Sequence, residues 1–383
     1  MVNTEGPLTY RNWKAKTDDN WTYANEHPVF TDAQIDIRNP IIKEFGPFKL
    51  FTLNPTSSRS QSGEPTFILR VYNYLEPQLP SINNIGITDA AHYTGGFIAE
   101  EVTSLLALSL GVRLKVGDAN RFIDKRDPIG LPFRFGMIKA PMLAFQAPDR
   151  PILPNARFIE SIQNIDVFSN FPQRKASEAT VLLRAARLYQ EAIWIAEGAV
   201  ELSWLLLTAA VETIASYWYE PQEVDLKHMK DSQPDLEEVL RQYAKEGFAK
   251  ELITRVFEIL SDKSGAAKKF RKFIETFYPQ SPPPLRPPEF AQHKWKKKAI
   301  TDTMVKIYTY RSNALHTGTP FPAPMCAPPD VVGERGEFAE IPIGLGTGMK
   351  NAYWSSADTP ILFHTFEYIV RHTILNWWKS LAN

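Results

Sequence analysis

Residues 199–218 read AVELSWLLLTAAVETIASYW, the most apolar run in the chain. Two carboxylates, Glu201 and Glu212, interrupt it. Charges at such depth are costly in a bilayer and rare in spanning segments, so the run is expected to be a buried helix of a soluble bundle. A helix that is apolar nearly all round needs neighbours on most sides. It also sets a local condition: Glu212, flanked by TAAV and TIA, must find a partner or stay protonated. A hydrogen-bonded brace between helices is the expected structural role.

The rest of the chain fits around that helix. Its 383 residues suggest two or three domains at about 150 residues each. Hydrophobic residues are 44% and aromatics 12%, enough for a packed core. Lysine plus arginine balances aspartate plus glutamate at 43 each, so net charge identifies no partner. Cys326 is the single cysteine, which excludes an intramolecular disulfide. The polar start, MVNTEGPLTYRNWKAKTDDN, does not resemble a secretory signal. A cytoplasmic protein with no membrane contact is the expectation.

Character changes near residue 170. Before it, FKLFTL (48–53) and TFILRVYNYL (66–75) have strand composition, and FIAEEVTSLLALSLGVRL (97–114) reads as one helix with Gly111 near its end. Residues 1–165 are therefore expected to form an α+β domain, and 166–383 an all-α domain, giving a predominantly helical protein. Helices are predicted over 178–196, with Ser177 as cap, and over 199–219, ended by Pro221. More are predicted over 235–247, 249–263, 265–278, 294–315 and 360–381. PQSPPPLRPPEF (279–290) cannot be helix interior, because proline lacks a donor and clashes with the preceding turn. Residues 317–358, rich in glycine and proline, form a long excursion, a type of loop that is usually functional or mobile.

The helix predicted over 294–315 closes in YTYRSNALHTG, placing Arg311, His316 and Gly318 at its end. Cationic groups there complement the helix dipole, and glycine commonly follows a C-terminus, so capping explains these residues. The same Arg-then-His pattern occurs at Arg286 and His293 in the proline-rich loop, so spacing alone is weak. Placed late in a helical domain, however, the run resembles the signature of the HEPN superfamily, an Arg and a His separated by four to six residues. Ser312 matches the polar residue usual after the arginine, and Gly318 resembles the Apea-like HEPN group. ARLYQEAIWIAEGAVELSWLLLTAAVETIA (186–215) is similar to the first helical pair of such domains, with Glu212 at an often acidic position. The resemblance covers about 177–383; the 317–358 excursion exceeds what a minimal domain of that family needs.

What the resemblance implies is a metal-independent endoribonuclease, without cofactor, acting as a homodimer on RNA, in a defence or toxin-type role. The residue types suit that chemistry. RNA supplies its 2′-OH as nucleophile; histidine, with a reference pKa of about 6.5, can exchange the protons, and arginine can grip the phosphate oxygens with parallel donors. His316 is the candidate for proton transfer and Arg311 for charge stabilisation. Ser312, Asn313 and Glu212 are candidate supporting residues. Five residues of helix turn about 140°, so the two groups do not share a face. Either the helix loosens near Asn313 or a second protomer completes the site. Other readings stay open: a non-catalytic HEPN-like module that binds nucleotide or RNA or scaffolds a complex, or nucleotide transfer to a protein. The first domain is a candidate for sensing a trigger or binding a regulatory partner.

Charge patterning adds to the RNA reading. From Lys263 to Arg311 there are twelve basic residues against three acidic ones, a balance of +9. Lys294, Lys296, Lys297, Lys298 and Lys306 are candidate contacts to phosphate. Trp295 suits base stacking, but core packing is the stronger expectation for it. GLGTGMK (344–350) lacks the spacing of a phosphate loop and is read as a flexible loop. In HTFEYIVRH, His364, Glu367 and His372 can be imagined as metal ligands, but Glu367 and Arg371 fit a plain helical ion pair and an inter-helix polar stripe. His27 and His92 have no partner that sequence identifies.

Overall fold

The computed structural model describes residues 5–16, 20–33, 42–53, 65–75, 88–132, 150–157, 159, 162–219, 238, 240, 251–253, 255–256 and 265–381. The helices expected over 235–247 and 249–263 fall largely outside these residues. About 49% of the chain is helical and 17% strand, so the composition is mixed, with the sheet first and the helices after it.

The first half begins with a short helix α1 (Leu8–Lys14). An antiparallel sheet follows, built from β1 (Tyr23–Phe30), β2 (Ile42–Phe45), β3 (Phe48–Thr52), β4 (Phe67–Asn73), β5 (Lys115–Val116), β6 (Arg121–Asp124) and β7 (Asp127–Pro132). The order is β2-β3-β4-β1-β6-β7, with β5 also paired to β1. Val29, Phe67, Leu69, Val71, Phe48 and Leu50 are buried in the main core. The expected strands at 48–53 and 66–75 are β3 and β4. The central strand β1, which contains Pro28, is not among the strands expected from sequence. Pro28 accepts from Gly117 N through its carbonyl at 2.8 Å, so its missing N–H faces the gap between β5 and β6, where no ladder bond is lost.

Helix α2 (Ile98–Leu110) lies between β4 and β5 in sequence and packs on α1 and on the helical half. It stops at Leu110, four residues short of the expected 114, because Gly111 closes it. Gly111 takes φ 70°, its N–H donates to Ala107 O, and a Cβ there would stand 2.7 Å from the Arg371 guanidinium carbon. The left-handed backbone is what favours glycine here, since the Arg371 head group could move aside.

The second half holds α3 (Ala176–Ile195), α4 (Val200–Trp218), α5 (Ala266–Phe277), α6 (Lys297–His316) and α7 (Phe363–Ser380). The apolar run is α4, and α3, α5, α6 and α7 all contact it. Trp204 of α4 stacks on Phe366 of α7 at 4.4 Å and on Phe321 at 5.6 Å. Ser177 is not the cap of α3: Lys175 precedes the helix in extended conformation, and Ser177 Oγ meets Tyr217 Oη at 2.9 Å. Among the described residues, no helix is long and apolar enough to cross a membrane.

The second half is not all helix. The 317–358 excursion contains two small hairpins, β8 (Val331–Val332) with β9 (Glu337–Phe338), and β10 (Gly346–Met349) with β11 (Ala352–Ser355). GLGTGMK is therefore not a flexible loop but mostly strand β10. Lys350 and Asn351, at φ 50° and 60°, form its tight turn, the left-handed geometry that suits a two-residue hairpin.

One hydrophobic core runs through both halves. Trp13 of α1 packs on Phe171 at 5.6 Å, and Phe171 on Trp378 of α7 at 5.7 Å. Tyr10 Oη donates to Arg174 O at 2.7 Å. A buried ionic cluster adds to the junction: Arg113 donates to Asp32 through Nε at 3.0 Å and to Glu197 through Nη1 at 3.2 Å. Glu197 in turn accepts from Ile152 N at 2.8 Å.

Candidate functional site

The C-terminal turns of α6 hold the Arg311–His316 motif. The helix is continuous through His316, and Thr317 N donates to Asn313 O at 2.9 Å. Gly318 then leaves in left-handed conformation at φ 69°. The backbone does not loosen near Asn313, which removes one of the two ways of bringing Arg311 and His316 together. The remaining 140° or so of helical rotation separates them.

Arg311 turns inward. Its Nη2 donates to Glu212 Oε2 of α4 at 2.7 Å, with both side chains about one-fifth exposed (22% and 17%). Glu212 thus has the inter-helix partner that its apolar neighbours demanded. The guanidinium carbon also lies 5.6 Å from the Tyr308 ring centre, one turn back. Burial, with the Glu212 carboxylate close by, pushes the Tyr308 hydroxyl up to about 12, so it stays protonated. The other Arg311 nitrogens have no hydrogen-bond partner among the described residues and remain available to an anion.

His316 turns outward. It is exposed and has no described hydrogen bond or ion pair, on a solvent stripe shared with Thr309 and Asn313. Ser312 is half-buried and the Asn313 side chain is exposed. The Asn313 carbonyl also accepts from Thr317 Oγ1 at 2.8 Å, which closes the helix.

The basic residues are not gathered at this site. Lys294, Lys296, Lys297 and Lys298 are exposed at the other end of α6. At 1.5 Å per residue, Lys298 lies about 27 Å along the axis from His316. Lys306 is engaged with the excursion, donating to Ala357 O at 2.7 Å and Asp358 Oδ1 at 3.0 Å. The +9 balance counted along the sequence is also reduced in space. Glu340, Asp358 and Glu212, all outside that segment, pair with Arg286, Lys306 and Arg311. Trp295 is half-buried, donates to Pro279 O at 3.0 Å and packs edge-on against Tyr368, so base stacking is not its role.

The second Arg–His pair is a buried clasp. Arg286 donates to both oxygens of Glu340, at 2.8 and 2.5 Å, and to His293 O at 2.7 Å. His293 N donates to Glu340, and its ring Nε2 lies 2.9 Å from Thr303 Oγ1 of α6. Burial lowers the His293 pKa to about 4. Sequence reasoning set this pair aside as a repeat of a loose pattern. Its function in the fold, tying the proline-rich loop and the excursion to α6, rests on Glu340, which gave no sequence signal.

The residues of HTFEYIVRH diverge. His364 Nε2 meets Ala339 O at 2.7 Å, while Glu367 accepts from Tyr189 Oη at 2.5 Å and pairs with Arg371 at 3.5 Å. His372 packs against Tyr368 at 4.1 Å. No group of three or more potential metal-ligating side chains occurs among the described residues. His27 and His92 contact Gly117 O and Thr180 Oγ1 respectively.

No known protein family, curated protein or solved structure matches the chain.

Proposed function

We propose that the chain is a HEPN-like, metal-independent endoribonuclease whose active cleft forms between two copies. The observation that carries this reading is the division of labour at the end of α6. Arg311 is braced by Glu212 with donors to spare, and His316 stands free on the solvent side. A braced guanidinium costs little reorganisation when phosphate charge develops, and an exposed imidazole can give or take a proton. In the reaction, the 2′-oxygen bonds to the adjacent phosphorus while its proton passes to a base. The bond from phosphorus to the 5′-oxygen breaks, and that oxygen takes a proton, leaving a 2′,3′-cyclic phosphate and a 5′-hydroxyl. Across a two-fold axis, Arg311 of one protomer can face His316 of its partner, which an unbroken helix does not allow within one chain. The sheet half is then placed to regulate, as the natural surface for a trigger or partner.

A second reading, a non-catalytic RNA- or nucleotide-binding scaffold, is favoured by one observation. Glu212 already neutralises Arg311, while Lys294, Lys296, Lys297 and Lys298 stand at the other end of α6 and Lys306 is paired with Asp358. The two readings separate on a labelled RNA ladder incubated with wild type, Arg311→Ala and His316→Ala, with and without EDTA. The nuclease reading expects cleavage that persists in EDTA and drops about 10²-fold or more in His316→Ala at unchanged melting temperature. Cleavage unaltered in His316→Ala would falsify the assignment and leave the scaffold.

A further inference from the structure

A cleft of about 110 Å³ opens between the start of α2, α3 and β5. Its lining includes Gly95 and Gly96, Glu100 of α2, and Arg187 and Glu191 of α3. The glycines are there because two side chains lie against the backbone. Gly95 sits at φ 88°, where a Cβ would collide with Arg187 Nη1, and a Cβ on Gly96 would meet the Glu100 side chain at 2.9 Å. Arg187 Nη1 donates to Thr94 O at 2.8 Å, and its other nitrogens have no described partner. Glu100 Oε2 accepts from Phe97 N at 2.7 Å, leaving Oε1 without one. The other charged groups of the wall are engaged: Lys115 donates to Glu191 at 2.8 Å, and the buried Glu101 accepts from Thr94 Oγ1 and from Thr9 N.

The cleft therefore presents one open guanidinium and one open carboxylate, over two consecutive residues whose Cα atoms are about 3.8 Å apart. A simple anion meets Glu100 unfavourably, and a simple cation meets Arg187. A small molecule carrying both charges a few ångströms apart satisfies both. We propose that this cleft binds a free α-amino acid, its carboxylate on Arg187 and its ammonium on Glu100. Val116 and Leu183, also in the lining, offer apolar surface to the ligand side chain. Because α2 belongs to the sheet half and α3 to the helical half, the occupant is held by both.

The test is independent of RNA cleavage. The full chain is titrated calorimetrically, and its melting temperature followed, with the standard free amino acids and with the N-acetyl and amide forms of any that bind. Binding of a free amino acid that weakens at least tenfold when either charge is blocked supports the site. It should weaken as much in Glu100→Gln, which loses the charge but keeps an acceptor for Phe97 N, and in Arg187→Lys, which loses the fork. Failure of every free amino acid to bind at millimolar concentration overturns the proposal, as does equal binding by the blocked forms or by Glu100→Gln that melts like wild type.

Discussion

Arg286 with His293 and Arg311 with His316 are two versions of one sequence pattern, and folding treats them in opposite ways. The two arginines are about equally exposed, 20% and 22%, but the first holds a carboxylate only 2% exposed beside a buried His293, whereas the second is steadied by the more open Glu212 and its histidine is free. Proximity along the chain is nearly the same, so spacing does not separate a clasp from a candidate catalytic site. What separates them is the third residue, a carboxylate far away in sequence, and how much water reaches it.

That contrast can be broken most sharply at Arg286. Arg286→Ala leaves Glu340 as a buried, unpaired carboxylate, and a loss of about 3–5 kcal/mol is expected in urea denaturation. A loss below that expected for an exposed pair would mean that the clasp is ornamental. Next in size is the acid response of His293. Its folded pKa of about 4 lies below an unfolded value of about 6.5, so the unfolded chain binds the extra proton between those limits. Stability from this residue is complete above about pH 6.5 and is lost as pH falls towards 4, by about 3 kcal/mol. His293→Gln should flatten that part of the stability–pH curve relative to wild type; identical curves would contradict the burial argument. The smallest structural effect is expected at the other pair. Glu212→Gln removes a partly exposed ion pair, which costs about 1 kcal/mol or less, while on the proposed nuclease reading loosening Arg311 should slow RNA cleavage about tenfold. A large loss of stability with unaltered cleavage would reverse the roles assigned to the two regions.

The legible parts of this fold were those written in local periodicity. The helices α3 to α7 and the strands β3 and β4 follow from apolar spacing, and Gly111 ends α2 as glycine should. Glu212 also declared its need for a partner, since a carboxylate among alanine, valine and isoleucine has few options. Less legible were features set by distant chain. Strand β1 is central despite Pro28 because a gap between β5 and β6 happens to face its nitrogen. Helix α1 is short and lacks a side-chain cap. The hairpin that GLGTGMK opens depends on the turn at Lys350 and Asn351 rather than on strand-forming composition. At the motif, the sequence named Arg311 and His316 but was silent on direction, and the lysines that adjoin them on paper stand at the far end of the rod.

The packing of Trp13 on Phe171 and of Phe171 on Trp378 has a thermodynamic corollary. Sheet and bundle share a single apolar interior, so neither has an inside of its own to fall back on when the other opens. Heat should meet one cooperative unit, and damage done at α1 will be answered at α7.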